Sequence, residues 1–448
     1  MAHIVCATQG RSGLLYSSFE LVRRLEGAGH RVTYLTRSGA TDVVEAQGFS
    51  CKALPDASEL APRDAASTKL RWWEGLRTIQ ERRQQAANRL QWSAFADTLR
   101  TLDPDGLLID IELHPYIITA VPMGIPTALL SPFFTVWKRP GVPPLHKSIV
   151  PGSGWRGHWL GIEWAWLRFR IGKLLSRVRN AYQSVGADDV SVLRHLARQT
   201  GFPFRRETAR YHWLLPFTYR TLPVLCLNAL EFDFPHDPHP SVHYVGPMIH
   251  RQRTSTRIDP EERASLESLI TRRRASAGQR PLLVVLCSTF ASIDANFFER
   301  ILHAASHWSD WDVILSLGGH SPGADLGARR DNVHAFSWVP VLDLLPHADV
   351  VVTNAGINTI NECLRFGVPP VVYSLGTNDQ PGNAARVASH GVGVVGDLET
   401  GSAEELVSLV EQARTDPEIR SNIEQMRDRY LAYEDEQRAV DIVEEMIE

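Results

Sequence analysis

Apolar residues recur along this chain in two registers. Uninterrupted runs of five or six alternate with longer stretches in which they return every three or four positions. Runs of the first kind, HIVCAT (3–8), HRVTYLT (30–36), GLLIDI (106–111), TALLS (127–131), VLCLNA (224–229) and VHYVG (242–246), suit strands covered on both faces. The stretch SSFELVRRLEGA (17–28) suits a helix, with Ser at the cap, Leu21, Val22, Leu25 and Ala28 on one face, and Gly29 as the stop. Strand, helix and strand in that order predict a parallel sheet. The alternation resumes after residue 280. Strands are predicted at 281–289, 311–318, 333–339, 349–353, 369–374 and 392–397, and helices at 294–307, 357–366 and 381–390. The fold class is therefore α/β, with two Rossmann-like, doubly wound parallel-sheet domains facing a cleft.

Between these series, residues 65–105 and 155–215 have helical spacing and are rich in Trp and Arg. Residues 247–280 turn polar and charged, and read as a linker with one exposed helix. The division expected is 1–248, a linker at 249–280, a second domain at 281–425, and a last helical segment, 426–448, packing back toward the first domain. One uncharged run, 115–137, has the length of a membrane span. Pro115, Pro122, Gly124, Pro126 and Pro132 interrupt it, so it reads as a buried helix, turn and strand.

Composition narrows the function. At 44% hydrophobic and 22% charged residues the chain is globular, and a net charge of −4 gives no footprint for nucleic acid. That charge is uneven: residues 1–250 hold 29 Lys and Arg against 21 Asp and Glu, the remainder 18 against 30. The five cysteines (Cys6, Cys51, Cys226, Cys287, Cys363) are scattered and read as thiols of a reducing compartment. MAHIVCATQG runs straight into a strand, so no signal peptide is expected and the location expected is cytoplasmic.

The stretch TNAGINTINE (353–362) lies between a buried strand and a helix. Free N–H groups and the dipole at a helix start favour an anion. Gly356 allows close approach, while Asn354, Asn358 and Thr359 add neutral donors. Glu362, one turn further on, can accept two hydroxyls. A phosphate followed by a diol describes a nucleotide, although a capped helix without ligand has the same composition. Trp338 in SWVP offers a plane for a base. Asp379 and Gln380 on the next loop suit sugar hydroxyls.

The ordered segment SWVPVLDLLPHADVVVTNAGINTINECLRFGVPPVVYSLGTNDQPGNAARV (337–387) resembles the donor-binding region of the UDP-glycosyltransferase superfamily, whose fold is termed GT-B. The likeness extends more weakly to GHRVTYL (29–35), HYVGPM (243–248) and PLLVVLCST (281–289). It implies Trp338 on the nucleobase, Ser288, Thr289, Asn354, Gly356, Asn358 and Thr359 around the diphosphate, Glu362 on the ribose, and Asp379 and Gln380 on the sugar. It also implies inversion without a metal or a bound cofactor, the nucleotide sugar (UDP-glucose or similar) being a substrate and the partner a lipophilic acceptor. The chain departs from the pattern at several positions. Asn354 stands where relatives have His, Val341 where they have Gln, and Ser288-Thr289 replace a Gly-Ser or Gly-Thr pair. QGRSGLLYS (9–17) occupies the segment where relatives place their basic His, and Leu14 falls at that position.

Leucine takes no proton, so either another group does, or the acceptor arrives already ionised, or the chain does not turn over. Asp110, Glu112 and His114 in GLLIDIELHPY (106–116) are the candidates, and burial would push a carboxylate there toward neutral pH. Asp110 equally suits a structural acceptor. Read as a D-x-D metal pair, Asp110 and Glu112 would belong to another class of transferase that lacks the second domain. His236, His239 and His243 lie in a Pro-rich loop and read as loop residues rather than metal ligands. Residues 155–179 alternate Trp and Phe with Arg and Lys: either a helix roofing the acceptor pocket or a surface for anionic lipid. The function expected is transfer of a hexose to a lipophilic acceptor. A non-catalytic sugar-nucleotide binder, a helper subunit or an epimerase of the same fold remain as alternatives.

Overall fold

The computed structural model describes residues 1–54, 78–255, 257–275, 280–286, 295–319 and 331–448. Seven strands form the first sheet: β1 (His3–Ala7), β2 (Arg31–Thr36), β3 (Cys51–Ala53), β4 (Gly106–Asp110), β5 (Thr127–Ser131), β8 (Val224–Cys226) and β9 (Val242–Tyr244). A short hairpin, β6 (Thr208–Ala209) with β7 (Thr218–Tyr219), stands apart. The spatial order is β3-β2-β1-β4-β5-β8-β9, all parallel, with Ile4 opposite both Val32 and Gly106. The second sheet holds β10 (Leu282–Leu286), β11 (Asp312–Ser316), β12 (Val333–Phe336), β13 (Val350–Thr353), β14 (Pro370–Val372) and β15 (Val394–Val395) in the order β12-β11-β10-β13-β14-β15. Strand order reverses between β1 and β4 in one sheet and between β10 and β13 in the other. The carboxyl ends of those strands are where a doubly wound sheet takes its ligand. Two Rossmann-like domains, the GT-B arrangement, follow from the two apolar series.

The first helix departs from its expected start. It spans Ser12–Gly27, and Ser17 sits inside it, its hydroxyl donating back to the carbonyls of Gly13 and Leu14. Leu14 and Leu15 are buried and extend the apolar stripe one turn back, so packing outweighs the capping preference of Ser17. The run 115–137 breaks as expected into the helix His114–Ala120, a short turn ending at Gly124, and β5.

The linker helix is not the exposed element expected. In Pro260–Ala275, Leu266 and Leu269 are buried among Leu282, Val284 and Phe336 of the second sheet. Its three-residue apolar spacing is diluted by charged neighbours, which hides the buried face. Beyond Pro417–Ala432, the helix Arg438–Ile447 inserts Ala439, Val440 and Val443 into the first domain's core beside Ile4 and Leu21. Glu444 reaches His30 at 2.9 Å, and Arg24 donates to the carbonyls of Tyr433 and Glu436. Gly106 leaves space for this return, since a Cβ there would lie 2.6 Å from Ile447 Cγ2.

The two domains share one core. A single cluster joins Ile117, Phe134 and Phe232 of the first to Ala355, Ile360, Ala384 and Val387 of the second. Within it lies a buried ion pair. Arg386 on the helix Gln380–His390 donates from Nε (3.0 Å) and Nη2 (2.5 Å) to Asp233 Oδ1, between the rings of Phe134 and Phe234.

Candidate active site

The loop after β13 turns through Ala355, whose φ of 66° lies in the left-handed region. That conformation costs a residue with a Cβ about 1–2 kcal/mol, so its surroundings must hold it. Asn383 does so, donating from Nδ2 to the Ala355 carbonyl at 3.0 Å and to Asp379 Oδ2 at 2.8 Å. Gly356, expected to allow close approach, has an ordinary φ of −65° and caps the helix Ile357–Phe366. A Cβ on it would meet only Asn354 Oδ1, at 3.8 Å, so what it supplies is open space. The first N–H groups of this ten-residue helix have no intrahelical acceptor.

From this helix start the contacts cross to the first domain. Asn358 donates to the Gly13 carbonyl at 2.7 Å. Asn361 donates to Asn228 Oδ1 and accepts from Tyr430. Glu362 is buried and takes Arg253 Nη1 at 3.0 Å, while that guanidinium lies 4.4 Å from the centre of the Tyr16 ring. The cavity among Tyr16, Ser17, Arg253, Asn358 and Glu362 measures about 10 Å³, room for one water molecule. Arg253 therefore occupies the space beside Glu362 that a diol would need. Thr359 is half-buried on the same helix, and Asn354 is buried.

Asp379 leads into the helix Gln380–His390, and Gln380 folds back to accept from the Leu375 N–H. Burial raises the Asp379 carboxyl above its ordinary range. Trp338 follows β12, with the Arg257 guanidinium 4.9 Å from its ring and Gly319 packed so closely that a Cβ would lie 3.1 Å from Nε1. Ser288 and Thr289 lie outside the described residues.

The three candidate bases separate. Asp110 ends β4 and is buried, accepting from the N–H groups of Gln9 (3.3 Å) and Glu112 (2.9 Å). Desolvation, then the charge of Glu112, pushes it up to about 7. Its ionised form is thus disfavoured in the folded chain, and that penalty sets in as pH rises from the usual carboxylate range through about 7. Glu112 remains partly exposed and faces Arg11 at 3.9 Å. Burial raises its carboxyl, Arg11 lowers it, and the charge of Asp379 across the cleft raises it again. His114, expected on the same loop, instead opens the helix His114–Ala120. It is buried against Phe217, hydrogen-bonded to Tyr219 OH at 2.9 Å, and held down at about 3 by desolvation. A neutral ring in that position is unsuited to taking a proton from a ligand in the cleft. Leu14 is buried in the first domain's core.

The histidines of 234–244 are not gathered. His236 bonds the Phe234 carbonyl, His239 stacks on Trp137 at 4.0 Å, and His243 lies in β9. Arg253 and Asn383 are site residues that sequence reading missed. Nothing in the charged segment around Arg253 singles it out. The spacing of Asp379 and Asn383, one helical turn apart, was a usable signal.

Comparison with known proteins agrees with this geometry. The family described as erythromycin biosynthesis protein CIII-like, C-terminal domain, matches residues 299–446. The oleandomycin glycosyltransferase of Streptomyces antibioticus is 26% identical over 458 aligned residues, covering 99% of this chain and 90% of that protein. The 4'-demethylrebeccamycin synthase of Lentzea aerocolonigenes is 24% identical, covering 100% of both. Among solved structures, the glycotransferase of kitacinnamycin superposes with a TM-score of 0.65 at 21% identity, covering 100% of this chain and 99% of that one. The glycosyltransferase VinC in complex with dTDP gives 0.62 at 16%, covering 99% and 100%. In sequence and in fold the chain is similar to the UDP-glycosyltransferase superfamily, and it is a glycosyltransferase of GT-B fold.

Proposed function

We propose that this enzyme moves a hexose from a nucleoside-diphosphate donor, UDP-linked in the first instance, to a hydroxyl of a lipophilic acceptor, with inversion and without a metal. The observation that carries this reading is the helix start at Ile357, which faces the first domain across the cleft with Asn358 reaching the Gly13 carbonyl at 2.7 Å. The diphosphate would lie on that helix start, with Asn358 as a further donor, and the charge developing on the leaving group is stabilised there. Glu362 takes the ribose hydroxyls once Arg253 has left it. Asp379 holds the sugar. Glu112 accepts the acceptor's proton, the oxygen forms its bond to the anomeric carbon, and the bond to the diphosphate breaks on the opposite face. Asp110 is a positioning residue, fixing the turn that carries Glu112 through the Glu112 N–H.

The lipophilic acceptor is supported by relatives named for oleandomycin and rebeccamycin, and dTDP in VinC makes a thymidine donor the comparison to run. Among the described residues no helix is long and apolar enough to cross a membrane. A thermal-unfolding panel of UDP, dTDP and their sugars tests the donor site. A ligand at a hundred times its dissociation constant should add about 2.7 kcal/mol of stability. Glu362→Ala should weaken nucleotide binding roughly 10- to 100-fold, the range for a lost hydrogen bond to a charged group. No stabilisation by any nucleotide, or an unchanged affinity in Glu362→Ala, would remove the assignment.

A further inference from the structure

The helix Trp159–Gln183 is 25 residues long, about 37 Å, and only Gly161, Ile162 and Trp166 on it are buried. Trp164, Leu167, Ile171, Leu174, Val178 and Tyr182 step by three and four along its outer face and are 47–71% exposed. Trp155 and Trp159, also exposed, stand at its N-terminal end. A continuous apolar stripe of this length is unusual on a surface facing only water. Of the two uses open to this segment, the roof over a pocket is the one the exposure disfavours.

Basic residues border the stripe. At 100° per residue, Arg168 and Arg179 fall on one side of it and Arg170 and Arg177 on the other. Among the described residues these four arginines have no carboxylate partner, and the helix's single acid, Glu163, pairs with Lys138. The basic border continues onto the neighbouring segment. Arg194 is held below its ordinary value by burial and by Arg210, Arg177, Arg198 and Arg205 around it. Two copies meeting through this face would bring like charges together. A surface carrying negative charge over an apolar layer matches both features, with Trp and Tyr at the boundary and arginines reaching the headgroups.

We propose that the helix Trp159–Gln183 docks flat on an anionic phospholipid surface. The inner side of the helix is tied to the cleft: Trp166 donates to the Val142 carbonyl at 2.7 Å. The same loop passes so close to Gly382 that a Cβ there would lie 2.1 Å from the Leu145 carbonyl oxygen. A lipophilic molecule dissolved in the bilayer would thus reach the enzyme beside the helix that carries Asp379. The docking surface stands independently of the donor chemistry, since its test needs no nucleotide.

The test is flotation of the full chain with vesicles of phosphatidylcholine alone and of phosphatidylcholine with phosphatidylglycerol. Binding to the anionic vesicles, falling as salt rises, with a blue shift of Trp emission, is the expected result. The variant Leu167→Asn/Ile171→Asn/Leu174→Asn should bind at least about tenfold less, and Arg168→Glu/Arg179→Glu should lose the salt-dependent part. These side chains are exposed, so an unchanged melting temperature serves as the folding control. Absence of wild-type binding, equal binding to both vesicle types, or full binding by the triple variant would overturn the proposal. So would a solution dimer that the triple variant dissolves while vesicles capture nothing, which would assign the face to a second copy.

Discussion

Replacing Arg386 with methionine should lower the stability of this enzyme by about 3–5 kcal/mol, the range for stripping one partner from a buried ion pair. The cost comes from what stays behind. Asp233 is buried and accepts from Arg386, Tyr244 OH and its neighbour's N–H. Without the guanidinium its charge would face Phe134 and Phe234 with only the His236 ring, 3.9 Å away, beside it. Arg386 also donates to the Gly382 carbonyl, so a backbone acceptor loses that donor in the same change. Because the pair joins the two domains, the effect should appear in calorimetry as a single unfolding transition separating into two. Arg386→Met combined with Asp233→Leu should recover much of the loss, since apolar replacement of a whole buried pair is often neutral. A single variant within about 1 kcal/mol of wild type would mean that the latch contributes nothing measurable.

The same pair shows where sequence reading stops. Both sheets were legible because a strand covered on two faces leaves an unbroken apolar run, and that signal is local. The turn after β13 was legible for the same reason: TNAGINTINE carries its bend, its helix start and its acid within ten residues. Asp233 and Arg386 are 153 positions apart and Arg253 and Glu362 are 109 apart, and no period in the chain connects them. His114 was misplaced because sequence shows that it follows Glu112 by two, not that the chain turns into a helix at Leu113 and drives the ring into the core. The left-handed bend at Ala355 was not legible, because only tertiary contact, here from Asn383, decides which residue of the turn is bent.

Glu112→Gln should reduce kcat by about 10²–10⁴-fold, the contribution of a positioned general base. The geometry separates it from its neighbours. Asp110 is enclosed and spends both oxygens on backbone N–H groups, whereas Glu112 is partly open to the cleft and feels Asp379 on the opposite wall. A base works in its ionised form. Burial has raised this carboxyl, so the acid limb of kcat/KM should lie above the ordinary carboxylate range, with activity lost as pH falls through it. In Glu112→Gln that limb should vanish along with most of the rate, while nucleotide affinity, proposed to rest on the helix start and Glu362, stays unchanged. Asp110→Asn should lower kcat less and keep the limb, because the glutamate survives on a loosened turn. The opposite pattern, an active Glu112→Gln and a dead Asp110→Asn whose residual activity shows no acid limb, would move the base to Asp110, whose own titration near 7 suits the task once the turn opens.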